Sequence, residues 1–130
     1  MTKLNLMDKY PIHTIEIPKD KTSFTNVDEI ISYLESLVEK HPIAIKIAIF
    51  DHYAHTSSIE DCVLGEDIKA AKNLVFCFGK QLPNTKMLAV RPRSIGVGDL
   101  GDKFEVSFLE VPNEQLQKTT YEWVKSILDK

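Results

Sequence analysis

The chain is poor in the residues that usually carry recognisable chemistry. Its 130 residues include two cysteines (Cys62 and Cys77), one tryptophan and two arginines (Arg91 and Arg93). Two cysteines without a CxxC pair are fewer cross-links than a secreted domain of this size usually has, and a single Cys62–Cys77 bridge is the lesser alternative to free thiols. The thiols are expected to be reduced. No HExxH pattern is present. Charge of one sign is also missing, since the formal net charge is -3 and the lysines are scattered among carboxylates. That argues against a nucleic-acid binder, which needs a basic field to meet phosphates. No run approaches the roughly 20 apolar residues of a membrane span. The longest apolar stretch, Ile43 to Phe50, is interrupted by Lys46, and "MTKLNLMDKYPIH" lacks the apolar segment of a signal peptide. The expectation is a cytoplasmic protein with no membrane association.

What is present fits one soluble domain spanning residues 1–130. Apolar residues make up 43% and charged residues 27%, an ordinary globular balance. The length suits one core and leaves no room for a second.

Periodicity supplies the elements. "YPIHTIEIP", Tyr10 to Pro18, alternates as a strand that Pro18 ends. Asn26 can cap a helix by accepting from the free N–H groups of its first turn, with Glu29, three residues later, reaching back. Val27, Ile30, Ile31, Leu34, Leu37 and Val38 form its buried stripe, and His41-Pro42 stops it. "IAIKIAIFDH" reads as a strand with Ile43, Ile45, Ile47 and Ile49 turned to the core. Ala44, Lys46, Ala48 and Phe50 then take the other face.

Ala54 to Lys72 is polar, with a short helix expected at Asp67 to Lys72. "NLVFCFG" is a second strong strand, and Cys77 within it is read as a buried, inert thiol. Residues 82–90 read as a short helix between Pro83 and Pro92. "RSIGVGD" and "KFEVSFLEV" make a hairpin around Asp99 to Asp102. A last helix follows Pro112-Asn113, with a stripe of Leu116, Thr120, Trp123, Val124, Ile127 and Leu128.

This pattern predicts an α+β fold. A five-stranded, mostly antiparallel sheet carries two helices on one face, in β-α-β4-α order. The second face is left for a ligand or a second subunit, with Phe50 and Val75 or Cys77 on it.

Three groups are candidates for chemistry. Asp51, His52 and His55 end the isoleucine strand and would be metal ligands or catalytic groups only if the chain turned there. Asp51 capping local backbone is the simpler role, because polar residues often cap elements. His52, beside Lys46 and Phe50, is expected on the open face. Arg91 and Arg93, around Pro92, have the chemistry to hold a carboxylate or phosphate. A charged, solvated strand edge is the plainer role for them.

Gly96, Gly98 and Gly101 spell GxGxxG, but a strand follows where a dinucleotide fold needs a helix, so no cofactor is called for. The glycines instead suggest a bulge, strong twist or a close backbone approach. Cys62 sits among carboxylates, which disfavours a thiolate. The acidic loop of Glu60, Asp61, Glu66 and Asp67 has no ligand spacing and reads as solvated.

The pattern "FDH", "NLVFCFG" and "GDLGDKFEVSFLEVP" resembles a widespread bacterial family known only as a domain of unknown function. Asp51-His52 matches its Ile-Asp-His element, Phe78-Gly79 its Phe-Gly-Asn-Pro element, and Ser107-Phe108 its Ser-Tyr element. Lys80-Gln81 stand where that family has Asn-Pro. The resemblance runs over residues 20–112. It implies a sheet covered by two helices in the TATA-binding-protein-like order, often dimeric, and no defined reaction.

The leading reading is a non-catalytic homodimeric module that binds a small ligand or anion on the open sheet face. Lys46, Phe50, His52, Arg91 and Arg93 would line the site. The alternative is a metal protein or enzyme using Asp51, His52 and His55.

Overall fold

A computed structural model describes residues 1–130. Its centre is one antiparallel sheet of strands β1 (Thr2–Leu6), β2 (Tyr10–Pro18), β3 (Ala44–Asp51), β4 (Ala70–Phe78), β5 (Arg93–Asp99) and β6 (Lys103–Leu109). Their order across the sheet is β1-β2-β6-β5-β4-β3. The helices are α1 (Val27–Lys40), α2 (His52–Ser57) and α3 (Glu114–Lys125). Residues Thr85–Val90 form a 3-10 turn inside the segment expected to be a short helix.

The sheet has six strands where five were expected. The added strand, β1, pairs with β2 from Thr2↔Thr14 to Leu6↔Tyr10. Its turn lacks the glycine that usually marks a hairpin, and Met7 and Asp8 supply the left-handed backbone instead (φ 56° and 58°). Beyond β1, the order is the expected β-α-β4-α, with α2 inserted after β3.

The core lies on one face. It gathers Ile15 and Ile17 of β2, Leu74, Phe76 and Phe78 of β4, Ile95 and Val97 of β5, and Phe104, Val106 and Phe108 of β6. Onto these pack Val27, Ile30, Ile31, Leu34 and Val38 of α1 and Val124 of α3, with Ile127 just beyond it. Burial on a stripe with 3.6-residue spacing is what fixes both helices against the sheet. Trp123 closes the end of the core, 5.7 Å from Phe78 and 5.8 Å from His41 between ring centroids.

Both helix starts are capped as their sequences suggest. The Asn26 side chain accepts from the Glu29 N–H at 2.9 Å. The Glu29 carboxylate reaches back to Thr25, accepting from its backbone N–H at 2.7 Å and from its hydroxyl. Those bonds to Thr25 lower the Glu29 pKa, and the Asn26 backbone adds to the effect. Asn113 caps α3 in the same way, through the Leu116 N–H at 3.1 Å.

Strand β3 departs most from expectation. Ile45, Ile47 and Ile49 are exposed (63%, 53% and 40%), not core. β3 is the edge of the sheet, and its pairing with β4 shifts between Lys46 and Ala48. Before this bulge, Lys46 lies opposite buried Phe76 and Ile45 opposite Cys77. After it, Ile49 lies opposite buried Leu74 and Phe50 opposite Asn73. Directly opposed residues share a face. Ala44, Lys46, Ile49 and Asp51 therefore lie on the helix side, and Ile45, Ala48 and Phe50 on the open side. A simple alternation cannot describe a strand whose parity changes at a bulge.

Two other segments also differ. The residues 67–72 expected as helix lead into β4, which begins at Ala70. Cys77 is half-buried on the open side, and both thiols are free.

Glu110 ties the outer hairpin to the rest of the sheet. Its carboxylate lies 2.9 Å from the Lys3 ammonium and 3.1 Å from His13 Nε2. Lys3 first, then His13, pull the Glu110 pKa down. A carboxyl with a lowered folded-state pKa contributes stability above its unfolded pKa, near 4.3 for Glu, and loses it as pH falls through the folded value. The β1 amides should therefore lose protection from hydrogen exchange in this acidic window, and Glu110→Gln should abolish the pH dependence. Replacing fully buried Leu34 by Ala should cost about 2–5 kcal/mol in urea denaturation.

Candidate functional site

The uncovered face of the sheet carries a trough, and its floor is made by missing side chains. Gly96 and Gly98 of β5 lie side by side with Asn73 and Ala71 of β4 and with Ser107 and Glu105 of β6. All six residues point to the open side, because their neighbours Leu74, Ile95, Val97 and Val106 point into the core. His52, at the start of α2, and Ile68 close one flank. The hollow measures about 240 Å³.

Neither glycine is demanded by the backbone. Gly101, in the β5–β6 turn, is the glycine with left-handed backbone (φ 97°). The register through Gly96 and Gly98 is regular on both sides, with no bulge. Nor does packing exclude a side chain. A Cβ on Gly96 would meet its nearest neighbour, Asn73 Nδ2, at 3.4 Å, and one on Gly98 would meet the Glu105 carbonyl oxygen at 3.7 Å. These are ordinary contact distances. Glycine inside a strand costs about 0.5–1 kcal/mol relative to alanine. Without bulge, strain or crowding, what the glycines provide is room above the sheet, the close-approach role of strand glycine.

Several polar side chains reach into walls whose surface is otherwise mainly apolar. Glu105 forms no ion pair, whereas nearby Lys103 is joined to Glu16 at 2.8 Å. The Ser107 hydroxyl donates to Thr14 Oγ1 at 2.8 Å. His52 Nδ1 is 2.9 Å from Thr56 Oγ1, which leaves Nε2 as the free nitrogen of the ring. The Phe50 ring lies 5.2 Å from His52 and 5.6 Å from His55. Phe50 and His52 thus lie on the accessible side, as expected from the sequence.

The other expected residues are not brought to this face. Lys46 is on the helix side, its ammonium 2.7 Å from Glu35 of α1. The Arg93 guanidinium donates to the carbonyls of Leu109 and Glu110 (3.1 Å to Glu110), and its half-burial lowers its pKa. Arg91 donates to the Gln81 carbonyl. Both arginines border a separate cleft beside the start of α3, where Arg91 and Lys80 line a space of about 400 Å³ with Phe78, Met87 and Leu116. Arg93 thereby braces the β6–α3 connection, whereas Arg91 braces the β4–β5 loop through a single carbonyl.

Asp51, His52 and His55 do not converge. Asp51 caps α2 by accepting from the Ala54 N–H at 2.9 Å and lies 3.7 Å from Lys72. Lys72 is held at 2.6 Å by Asp28, the main cause of its raised pKa. No group of three or more His, Cys, Asp or Glu side chains is placed to hold a metal ion.

The sequence reading missed Asn73, Glu105 and Ser107 as wall residues. The available signal was Gly96 and Gly98 in a strand without a bulge, since their cross-strand partners must then flank a gap. If the glycines serve only to leave space, Gly96→Ala and Gly98→Ala should each raise stability by about 0.5–1 kcal/mol in chemical denaturation. A loss of similar size would show instead that the sheet itself needs glycine there.

No helix of the chain is long and apolar enough to cross a membrane. A search of the curated proteins finds no match. A family model described as a family of unknown function, DUF6858, matches residues 1–129, and the chain belongs to that family.

Proposed function

We propose that the chain is a non-catalytic, homodimeric cytoplasmic domain that binds a small polar ligand on its open sheet face, in the trough over Gly96 and Gly98. The observation that carries this reading is the glycine pair. Two residues that weaken a central strand, and that neither backbone nor packing requires, leave a mainly apolar hollow into which a few polar groups reach. Asn73 offers both donor and acceptor, Glu105 accepts, and His52 can do either. Glu105 is the charged wall group without an ion-pair partner. That favours a ligand presenting an amine or hydroxyl over the anion first expected from Arg91 and Arg93. Two free thiols are consistent with a reducing compartment.

No reaction is assigned. His52 has no acid or base partner beyond a threonine hydroxyl, and the carboxylate beside it caps a helix.

Ligand-observed NMR against a panel of small amines, polyols and carboxylic acids tests the reading. Binding to the wild type that weakens at least tenfold in Gly96→Val and in Asn73→Ala is the expected outcome. Binders that are unaffected by both substitutions, or carboxylic acids that are displaced only by changing Arg91, would refute it.

A further inference from the structure

We infer that the exposed edge of β3 is the surface on which a second copy of this chain pairs, antiparallel, about a two-fold axis between Ile47 and Ala48. The inference rests on the homodimeric part of the reading above and assigns its interface.

β3 pairs with β4 on one side and with no strand on the other. Half of the backbone N–H and C=O groups of an edge strand point outward without a strand partner. Such edges usually carry exposed charge, yet Ile45, Ile47, Ile49 and Phe50 are all at least 40% exposed here. The one cation of the strand, Lys46, is turned to the helix side and neutralised by Glu35 at 2.7 Å.

What selects a second copy is the register. In an antiparallel pair, directly opposite residues lie on the same face. The bulge places Ala44, Lys46, Ile49 and Asp51 on the helix side and Ile45, Ala48 and Phe50 on the open side. Placing the axis between Ile47 and Ala48 sets Ala44 opposite the second copy's Asp51, Ile45 opposite its Phe50, and Lys46 opposite its Ile49. Each of these pairs joins residues of one face, and the eight-residue strand overlaps its copy over its whole length.

Sliding by one residue in either direction sets helix-side residues against open-side ones. No like charges meet directly, because Lys46 faces an isoleucine. Without the bulge, Ile45 and Phe50 would lie on opposite faces and this match would fail. A bulge and an inward lysine often serve to protect an edge. Here they also make the strand complementary to itself.

The test is sedimentation equilibrium on the full chain at micromolar loading, with circular dichroism to confirm folding. The wild type should be dimeric. Ile45→Glu and Phe50→Lys, both at exposed sites, should each weaken dimerisation at least tenfold. The two changes combined should restore it, because each introduced carboxylate would face an introduced ammonium on the other copy. A folded, monomeric wild type would overturn both the inference and the homodimer reading. A dimer indifferent to Ile45→Glu would overturn the inference alone, leaving a dimer formed elsewhere. Failure of the combined variant to recover would overturn the proposed register.

Discussion

Everything in this structure follows from burial on one side only. Two amphipathic helices supply enough apolar stripe to cover one face of the sheet. Val27, Ile30, Ile31, Leu34 and Val38 of α1 meet Leu74, Phe76, Ile95 and Val97, while Val124 of α3 joins them with Ile127 beside it. Side chains on the central strands that point to this layer are sealed from water. Those that point away are half-buried at best, as along β4, where buried Leu74, Phe76 and Phe78 alternate with half-buried Asn73, Val75 and Cys77. The hydrophobic effect, roughly proportional to area removed from water, thereby sorts the sheet into a structural side and an available side.

That sorting was legible in most of the sequence. The stripes of α1 and α3, the cap at Asn26, the strands from Tyr10 and Arg93, and the connection at Asp99 to Asp102 all occur where periodicity and turn chemistry place them. Each is local, and each has a period that matches its own geometry. What failed was non-local or atypical. β1 was missed because Met7 and Asp8 occupy a turn that normally advertises itself with glycine. β3 was misread because its isoleucine alternation is regular in sequence while its pairing is not. A single bulge between Lys46 and Ala48 exchanges the faces, and no residue in "IAIKIAIF" marks it.

The site was legible to a lesser degree, for a related reason. Phe50 and His52 were placed on the accessible side although Ile45 was placed wrongly, because the bulge restores for Phe50 the side that plain alternation gave it. Lys46, on the near side of the bulge, was misplaced by the same reasoning. Arg91 and Arg93 attracted interest as the only arginines, but a guanidinium with five donors is also well suited to gathering loop carbonyls, and that is how it is used here. Being the only two arginines of the chain does not say whether they serve a ligand or a connection.

The glycines make the converse argument. GxGxxG is informative in a nucleotide site because the helix behind it supplies donors. Here that helix is replaced by β6, and the same letters acquire a different physical meaning. In a strand flanked on both sides, each glycine removes one side chain from the open face, and two of them on one side remove enough to leave a hollow three strands wide. The depth of that hollow depends on the neighbours staying put, and they do so because Leu74, Ile95, Val97 and Val106 anchor the same strands from below. A rigid, fully packed underside is therefore what allows the uncovered upper side to keep its shape.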